Sequence, residues 1–350
     1  MTVRIQKPAF NIREKLSELE RPIGLKGSEL MRAETAQDAF SLIGAGRRNM
    51  IINGRFLVSQ RGTYTSLTTP TSNTYYLDRW FWNGTINGNS GIQLKTDQVV
   101  NGFTNLNTYY YTSSNSSAAS SGQTIEDSLW SHLKGKKVTF SAWVKTNNSR
   151  VGLRFYTGVQ NYGPRHSGSG NWEYLTWTFT IPSGATYLYP LIDSYNGSFN
   201  DGPNTYIEIT MVQVEEGTIA TPFEHRSYGE ELALCQRYCY VIRGDWPAAT
   251  AGEVLVGNGV WNGIDQAYIK IEHPVTMLKV PAIDYGNLGW YRVVAEAVSW
   301  RGISSLSLLT DACSINSTTI AVAASTDTRG LVARMATQTT SAKLILSSEL

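Results

Sequence analysis

The spacing of apolar residues changes period once along this chain, at about Asn49, and that change limits the fold more than any other feature. Ahead of it, Ile12, Leu16, Leu19 and Ile23 step by four, three and four, a heptad-like stripe on a short helix that Asn11 caps and Pro22 ends. A second helix begins where Thr35 and Asp38 resemble a capping box; Ala39, Phe40, Leu42 and Ile43 form its apolar side, and Gly44 and Gly46 stop it. Residues 1–48 hold nine basic and six acidic residues and little apolar material. So few helical turns do not repay nucleation in water. The arm is therefore expected to dock on a neighbouring copy or a larger body, through Ile12, Leu16, Leu19, Ile23 and Phe40.

From Asn49 to about Phe223 the period is two. Val138, Phe140, Ala142 and Val144 fall on one face, as do Val151, Leu153, Phe155 and Val159. Leu175, Trp177, Phe179 and Ile181 oppose Trp172, Tyr174, Thr176 and Thr178, and Ile207, Ile209 and Met211 share a side. Such strands, parted by Gly, Asn and Ser turns, predict a β-sandwich of jelly-roll size. A helix is expected at about Tyr228–Arg237, and strand patterns resume to the last residue, where KLILSSEL reads as a strand tied into a sheet, its own or a neighbour's. The expected fold is mainly β: a short α-helical N-terminal arm (1–48), a jelly-roll β-sandwich (49–227), and a linking helix with a smaller C-terminal β domain (228–350).

Charge excludes one class of function. Thirty Lys and Arg nearly cancel 28 Asp and Glu, leaving +2, without the basic excess that phosphate neutralisation demands, so nucleic acid is not expected as a partner. The longest apolar runs, such as Ile303–Leu309, fall far short of the ~20 residues of a membrane helix, so no membrane insertion is expected. The N-terminus lacks the pattern of a secretory signal, which predicts assembly inside a cell. Cys235, Cys239 and Cys313 cannot build a disulfide framework and read as small buried hydrophobes.

The motifs of hydrolases and phosphate-binding loops are missing from the sequence. Glu173, Glu208, Glu215 and Glu216 are acids that glycan cleavage could recruit, but nothing pairs them locally, and His225 in PFEHRS reads as structural. No enzyme activity, cofactor or metal is expected. Asp193, Asn196, Asn200 and Asp201 offer hard oxygens in the loop 193–204, without the spacing of a calcium loop, and a polar hairpin is the simpler reading. Nineteen Tyr against ten Phe, with ten Trp, supply rings that sit half in water. Sugars are recognised by such rings, and the candidates are Tyr109, Tyr110 and Tyr111; Tyr162 and Trp172 flanking the GPRHSGSGN turn; and Tyr195 and Phe199. The same rings suit burial between subunits, so both readings stand.

Two stretches carry a family likeness: TAQDAFSLIGAGRRNMIINGRFLVSQRG (35–62) followed by YYLDRWFW (75–82), and VQVEEGTIATPFEHRSYGEELALCQRYC (212–239). They resemble virion structural and tail-fibre-like proteins of tailed bacteriophages, especially those of cyanobacteria and other aquatic bacteria. The resemblance implies a carbohydrate-binding-module-like jelly roll behind a short attachment segment, and a homotrimeric fibre held on the particle by residues 1–48. It further implies contact with other virion proteins and host-surface glycan recognition by the outward domains. The alternative is a purely structural head fibre, capsid decoration or collar protein that binds no sugar.

Overall fold

The computed structural model describes residues 48–69, 71, 74–83, 91–112, 120–194, 206–245, 254–261, 266–295, 301–324, 332–339 and 341–349. The expected helices of the arm, with Ile12, Leu16, Leu19, Ile23 and Phe40, lie outside the described residues.

Apolar–polar alternation becomes antiparallel strand, because a pleated backbone sends successive side chains to opposite faces. In chain order the elements up to Glu216 are β1 (Thr74–Leu77), β2 (Trp80–Asn83), β3 (Gly91–Val100), β4 (Phe103–Thr112), β5 (Ser120–Gly122), the single-turn helix α1 (Asp127–Trp130), β6 (Lys137–Thr146), β7 (Val151–Tyr156), β8 (Gln160–Arg165), β9 (Trp172–Thr180), β10 (Tyr189–Ser194) and β11 (Tyr206–Glu216). They form a six-stranded sheet, β1-β2-β5-β10-β7-β8, and a five-stranded sheet, β3-β4-β11-β6-β9. The two lie face to face as a β-sandwich over one core. Ile92, Tyr109, Tyr111, Phe140, Val144 and Ile209 enter from the five-stranded sheet, and Trp80, Trp82, Leu153, Phe155 and Ile192 from the six-stranded one.

Met211 departs from the expected pattern. Strict alternation places it inward with Ile207 and Ile209, but the register between β11 and β6 shifts between Thr210 and Gln213, and Met211 takes φ 49°. This bulge turns Met211 onto the outer face, where it joins Val100 and Leu106 in a small apolar cluster, and returns Val212 and Val214 to the core.

After β11 the capped helix α2 (Tyr228–Gln236) leads into β12 (Cys239–Arg243), β13 (Leu255–Trp261), β14 (Gln266–Glu272), β15 (Ala282–Asp284), β16 (Tyr291–Ala295), β17 (Arg301–Gly302), β18 (Ser305–Leu308), β19 (Ser317–Ala323), β20 (Val332–Thr337) and β21 (Lys343–Ser347). Ser227 and Glu230 close a full capping box on α2. A seven-stranded sheet, β17-β16-β20-β13-β14-β19-β18, and a three-stranded one, β12-β21-β15, share a second core that includes Trp261, Ile269, Ile320, Met335 and Leu344. The last strand, β21, thus pairs within its own chain, between β12 and β15. Cys235 and Cys239 are buried free thiols. Among the described residues no helix is long and apolar enough to cross a membrane.

The stretch 49–60 contains no strand, yet Asn49, Ile51, Ile52, Asn53, Phe56 and Val58 are buried. Buried backbone without a ladder needs other partners: β11 takes Met50 N at Val214 O (2.8 Å) and gives Val212 N to Gly54 O (2.9 Å), and side chains provide more. Asn49 accepts from Ile51 N (2.9 Å) and Val214 N (3.0 Å) and donates to Val212 O (3.1 Å). Asn53, fully buried at φ 59°, accepts from Val58 N (3.0 Å) and donates to Val58 O (2.8 Å) and Asp78 O (3.1 Å). Trp80 Nε1 donates to Asn53 O (3.0 Å), and Glu231 of α2 accepts from Asn53 N. Arg226 donates to Ile51 O (3.0 Å) and Asn49 O. Gln60 joins Asp78, through its N and Nε2 (both 2.6 Å), to Cys239 O (2.8 Å). Burial nevertheless pushes the Asp78 carboxyl up to about 6, against these bonds and the Arg61 charge.

The same seam carries ion pairs. Arg79 lies 3.7 Å over the Tyr238 ring and pairs with Glu349, which Arg61 also reaches at 3.4 Å. Glu126 accepts from Arg237 Nε (2.8 Å) and from Tyr238. Both family-like stretches, so far as they are described, meet in this knot. Replacing Asn53 with Ala would strand three buried backbone groups and leave a β-carbon residue at positive φ, at a cost of about 3 kcal/mol or more. Denaturant titration of Asn53→Ala should show a lower midpoint with an unchanged slope; an unaltered midpoint would refute the hub's role.

Candidate functional site

The outer face of the five-stranded sheet is built by the same alternation that fills the core. Register aligns Gln93, Tyr110, Glu208, Lys145 and Trp172 in one row across all five strands, and Thr210, Trp143 and Tyr174 in the next. Trp143 and Tyr174 sit with ring centroids 5.3 Å apart, and Tyr110 stacks on Tyr206 at 5.7 Å and 19°. Tyr174 keeps 41% of its surface exposed; Tyr110, Trp143, Trp172 and Tyr206 are half-buried. Rings standing on a sheet rather than inside a core present their faces to whatever docks there.

Charges are interleaved with the rings. Lys95 Nζ lies 4.1 Å over Tyr110 and 2.9 Å from Glu208 Oε2, and Thr108 donates to the other Glu208 oxygen at 2.5 Å. Lys145 Nζ lies 6.0 Å over Trp172. Burial raises the phenols of Tyr110, Tyr206 and Tyr174 above their ordinary value, and Glu208 adds to the rise at the first two. All three remain protonated at neutral pH and able to donate.

Beside Trp143 and Tyr174 the face deepens into a cavity of about 520 Å³, within the ~300–1,000 Å³ of small-ligand sites. Phe103, Trp143, Tyr174 and Phe223 wall it, Met211 floors it, and Asn101, Ser141, Thr221 and His225 supply polar atoms. His225 borders the cavity and packs edge-on against Phe223, with ring centroids 5.2 Å apart. Its basicity is lowered by burial and by the nearby Arg55 charge.

The ring candidates expected from sequence separate. Tyr109 and Tyr111 are fully buried, and Tyr111 donates to Ile192 O at 2.7 Å, so neither offers a face to a ligand; only Tyr110 of the run turns outward. Three consecutive strand residues cannot share a face. Tyr162 and Trp172 flank one turn but stand on different sheets, Tyr162 on the outer face of the six-stranded one. Tyr195 and Phe199 lie outside the described residues. Trp143, Tyr174, Tyr206, Phe103 and Phe223 were not among the candidates. Alternation in 172–178 and the odd position of Trp143 between Ala142 and Val144 were the available signals for the first two.

The four acids are each engaged. Glu215 accepts from Gln213 and Thr221, Glu208 holds Lys95, and Glu216 lies 3.5 Å from Lys136. Burial opposes ionisation of Glu173, yet bonds from Ser167 and Ser169 hold it below the usual carboxylate range. Asp193 pairs with Arg154 at 2.7 Å, and the other oxygen ligands considered for calcium, Asn196, Asn200 and Asp201, lie outside the described residues. Among the described residues no group of three or more His, Cys, Asp or Glu is arranged to hold a metal.

No family model and no curated protein matches the chain. Among solved structures, it is similar to the enzymatically active domain of bacteriophage CBA120 tailspike protein 4, with 16% identity over 48% of this chain and 21% of that chain and a TM-score of 0.32. It is similar to the C-terminal family 22 carbohydrate binding module of Clostridium thermocellum Xyn10B, with 16% identity over 43% of this chain and 100% of that one and a TM-score of 0.29. A third is a Stig cyclase from Fischerella sp. TAU, with 12% identity over 50% of this chain and 99% of that one and a TM-score of 0.32. The chain spans about a fifth of the tailspike chain. Likeness at this level assigns it no function.

The division between buried and presented rings has a direct check. Tyr111→Ala should cost about 4 kcal/mol of unfolding free energy, whereas Tyr174→Ala should cost less than about 1. Equal losses in chemical denaturation would contradict the placement.

Proposed function

We propose that this chain is a non-enzymatic fibre protein of a phage particle, held by residues 1–48, whose β-sandwich grips host-surface glycan on its five-stranded face. The observation that carries the glycan part is the row of outward rings beside a cavity floored by Met211. Stacked apolar sugar faces would cover Trp143 and Tyr174, while Gln93, Lys145, Asn101 and the tyrosine hydroxyls would bond the sugar's own hydroxyls. Preformed strand positions keep the ordering cost of such a site low. The virion part rests on the resemblance of 35–82 and 212–239 and on the short, charged, thinly cored arm. Trimerisation rests on the Ile12, Leu16, Leu19, Ile23 stripe.

A glycan array probed with the intact chain and with Trp143→Ala/Tyr174→Ala tests the site. The double variant should bind at least tenfold more weakly, about 1.4 kcal/mol, while keeping its circular dichroism and a cooperative melt at a somewhat lower temperature. Silence of the intact protein across host polysaccharides would favour the capsid-decoration reading instead. Deleting residues 1–48 should leave a soluble body of monomer mass by light scattering that no longer joins particles. Normal incorporation of the truncated chain would remove the anchoring role.

A further inference from the structure

The six-stranded sheet has its own outward rings. Tyr189 of β10 pairs with Tyr156 of β7 on the face opposite Leu153, Phe155 and Ile192. Tyr187, two residues before Tyr189, extends the group. Tyr156 and Tyr187 are nearly parallel at 14° with centroids 6.0 Å apart, and Tyr187 and Tyr189 lie at 5.1 Å. None of the three belongs to any of the apolar core clusters. Tyr187, stacked between these neighbours, is still 44% exposed.

These rings do not stand on a flat surface. Tyr187 and Tyr189 line a cavity of about 420 Å³ together with residues 124–128, which run alongside them through Ile125 N to Leu188 O (3.2 Å), and with Leu278 from the chain beyond β14. Its rim carries the Asp127 and Glu126 carboxylates and the Thr124 and Ser128 hydroxyls. Glu126 is occupied by Arg237 and Tyr238, which fixes the wall in place. Asp127 gives Oδ1 to Trp130 Nε1 at 3.1 Å. Apolar ring faces bordered by acceptors suit a molecule with an apolar face and a hydroxylated edge. With Glu126 balanced by Arg237, it is the Asp127 carboxylate at the rim that repels an anionic ligand at close range.

We infer that Tyr187 and Tyr189, bordered by residues 124–128 and backed by Tyr156, form a second saccharide subsite that takes a neutral pyranose and rejects uronic or sialic acids. It lies on the opposite sheet from the Trp143–Tyr174 face and shares no residue with it. One chain would then hold two glycan strands at once, and loss of either site would cost avidity rather than abolish adhesion.

The experiment uses the full chain on an array of immobilised neutral oligosaccharides (glucan, mannan, xylan and galactan series) and acidic ones (oligogalacturonate, hyaluronan and sialylated glycans). Three forms are compared: the intact protein, Tyr156→Ser/Tyr187→Ser, and Trp143→Ala/Tyr174→Ala. At least one neutral glycan should lose tenfold or more in the tyrosine variant while surviving in the tryptophan variant, and no acidic glycan should behave so. Tyr187→Trp should preserve that binding. Where the double tyrosine variant misfolds by circular dichroism, Tyr187→Ser alone replaces it, since that ring is already exposed. The inference is overturned if every signal follows Trp143 and Tyr174, which leaves the first site standing, or if the array is blank, which sinks both. It is also overturned if light scattering shows the tyrosine variant falling to a smaller assembly, which would place these rings between copies of the chain.

Discussion

A dozen residues of irregular backbone, buried between two β bodies, set the terms for the rest of this structure. The backbone at 49–60 belongs to no ladder, although Met50 N and Gly54 O reach β11, and leaving its other groups bare would cost more than most side-chain contacts return. Asn49, Asn53, Gln60 and Arg226 take the place of that missing ladder, each matching backbone donors and acceptors that lie up to 179 residues away in the chain. Because Glu231 comes from α2 and Cys239 O from β12, satisfying the segment also fixes how the C-terminal strands meet the sandwich. The residues of the family-like stretches that are described are thus engaged mainly in holding this seam.

With the seam fixed, the outer faces of the sandwich are free of structural duty. The bulge at Met211 illustrates how a local backbone irregularity makes a surface feature. By moving one apolar side chain from the core to the outside, it seats Trp143 and Phe223 on an apolar base and deepens the sheet into a cavity. The left-handed backbone at a methionine costs energy, and the Met211, Val100 and Leu106 cluster is where burial offsets it.

Much of the architecture is legible in the sequence because period-two alternation and helix caps are local signals. The strands β6, β7, β9 and β11, the helix after Ser227 and the strand character of the last residues follow from it. What is not local is not legible. Nothing in TMVQV announces that Met211 turns outward, since a bulge depends on the partner strand's register. Tyr109, Tyr110 and Tyr111 read as one aromatic patch by composition, although alternation alone separates the middle ring from its neighbours. Tyr162 and Trp172 read as one site because they flank a short turn, which in fact crosses between sheets. Tyr206 beside Tyr110 becomes visible only once β11 is known to lie against β4.

The position of β21 has a consequence for biosynthesis. It is the middle strand of its sheet, with β12 on one side and β15 on the other, and Glu349 just beyond it pairs with Arg79 and Arg61. Until β21 has emerged from the ribosome, both flanking strands, which precede it in the chain, stand with unpaired edges, the condition under which nascent chains adhere to one another. The sandwich can condense once β11 is out, but the seam closes only when β21 and Glu349 have followed, so the molecule stays half-zipped for the time needed to translate the strands between them.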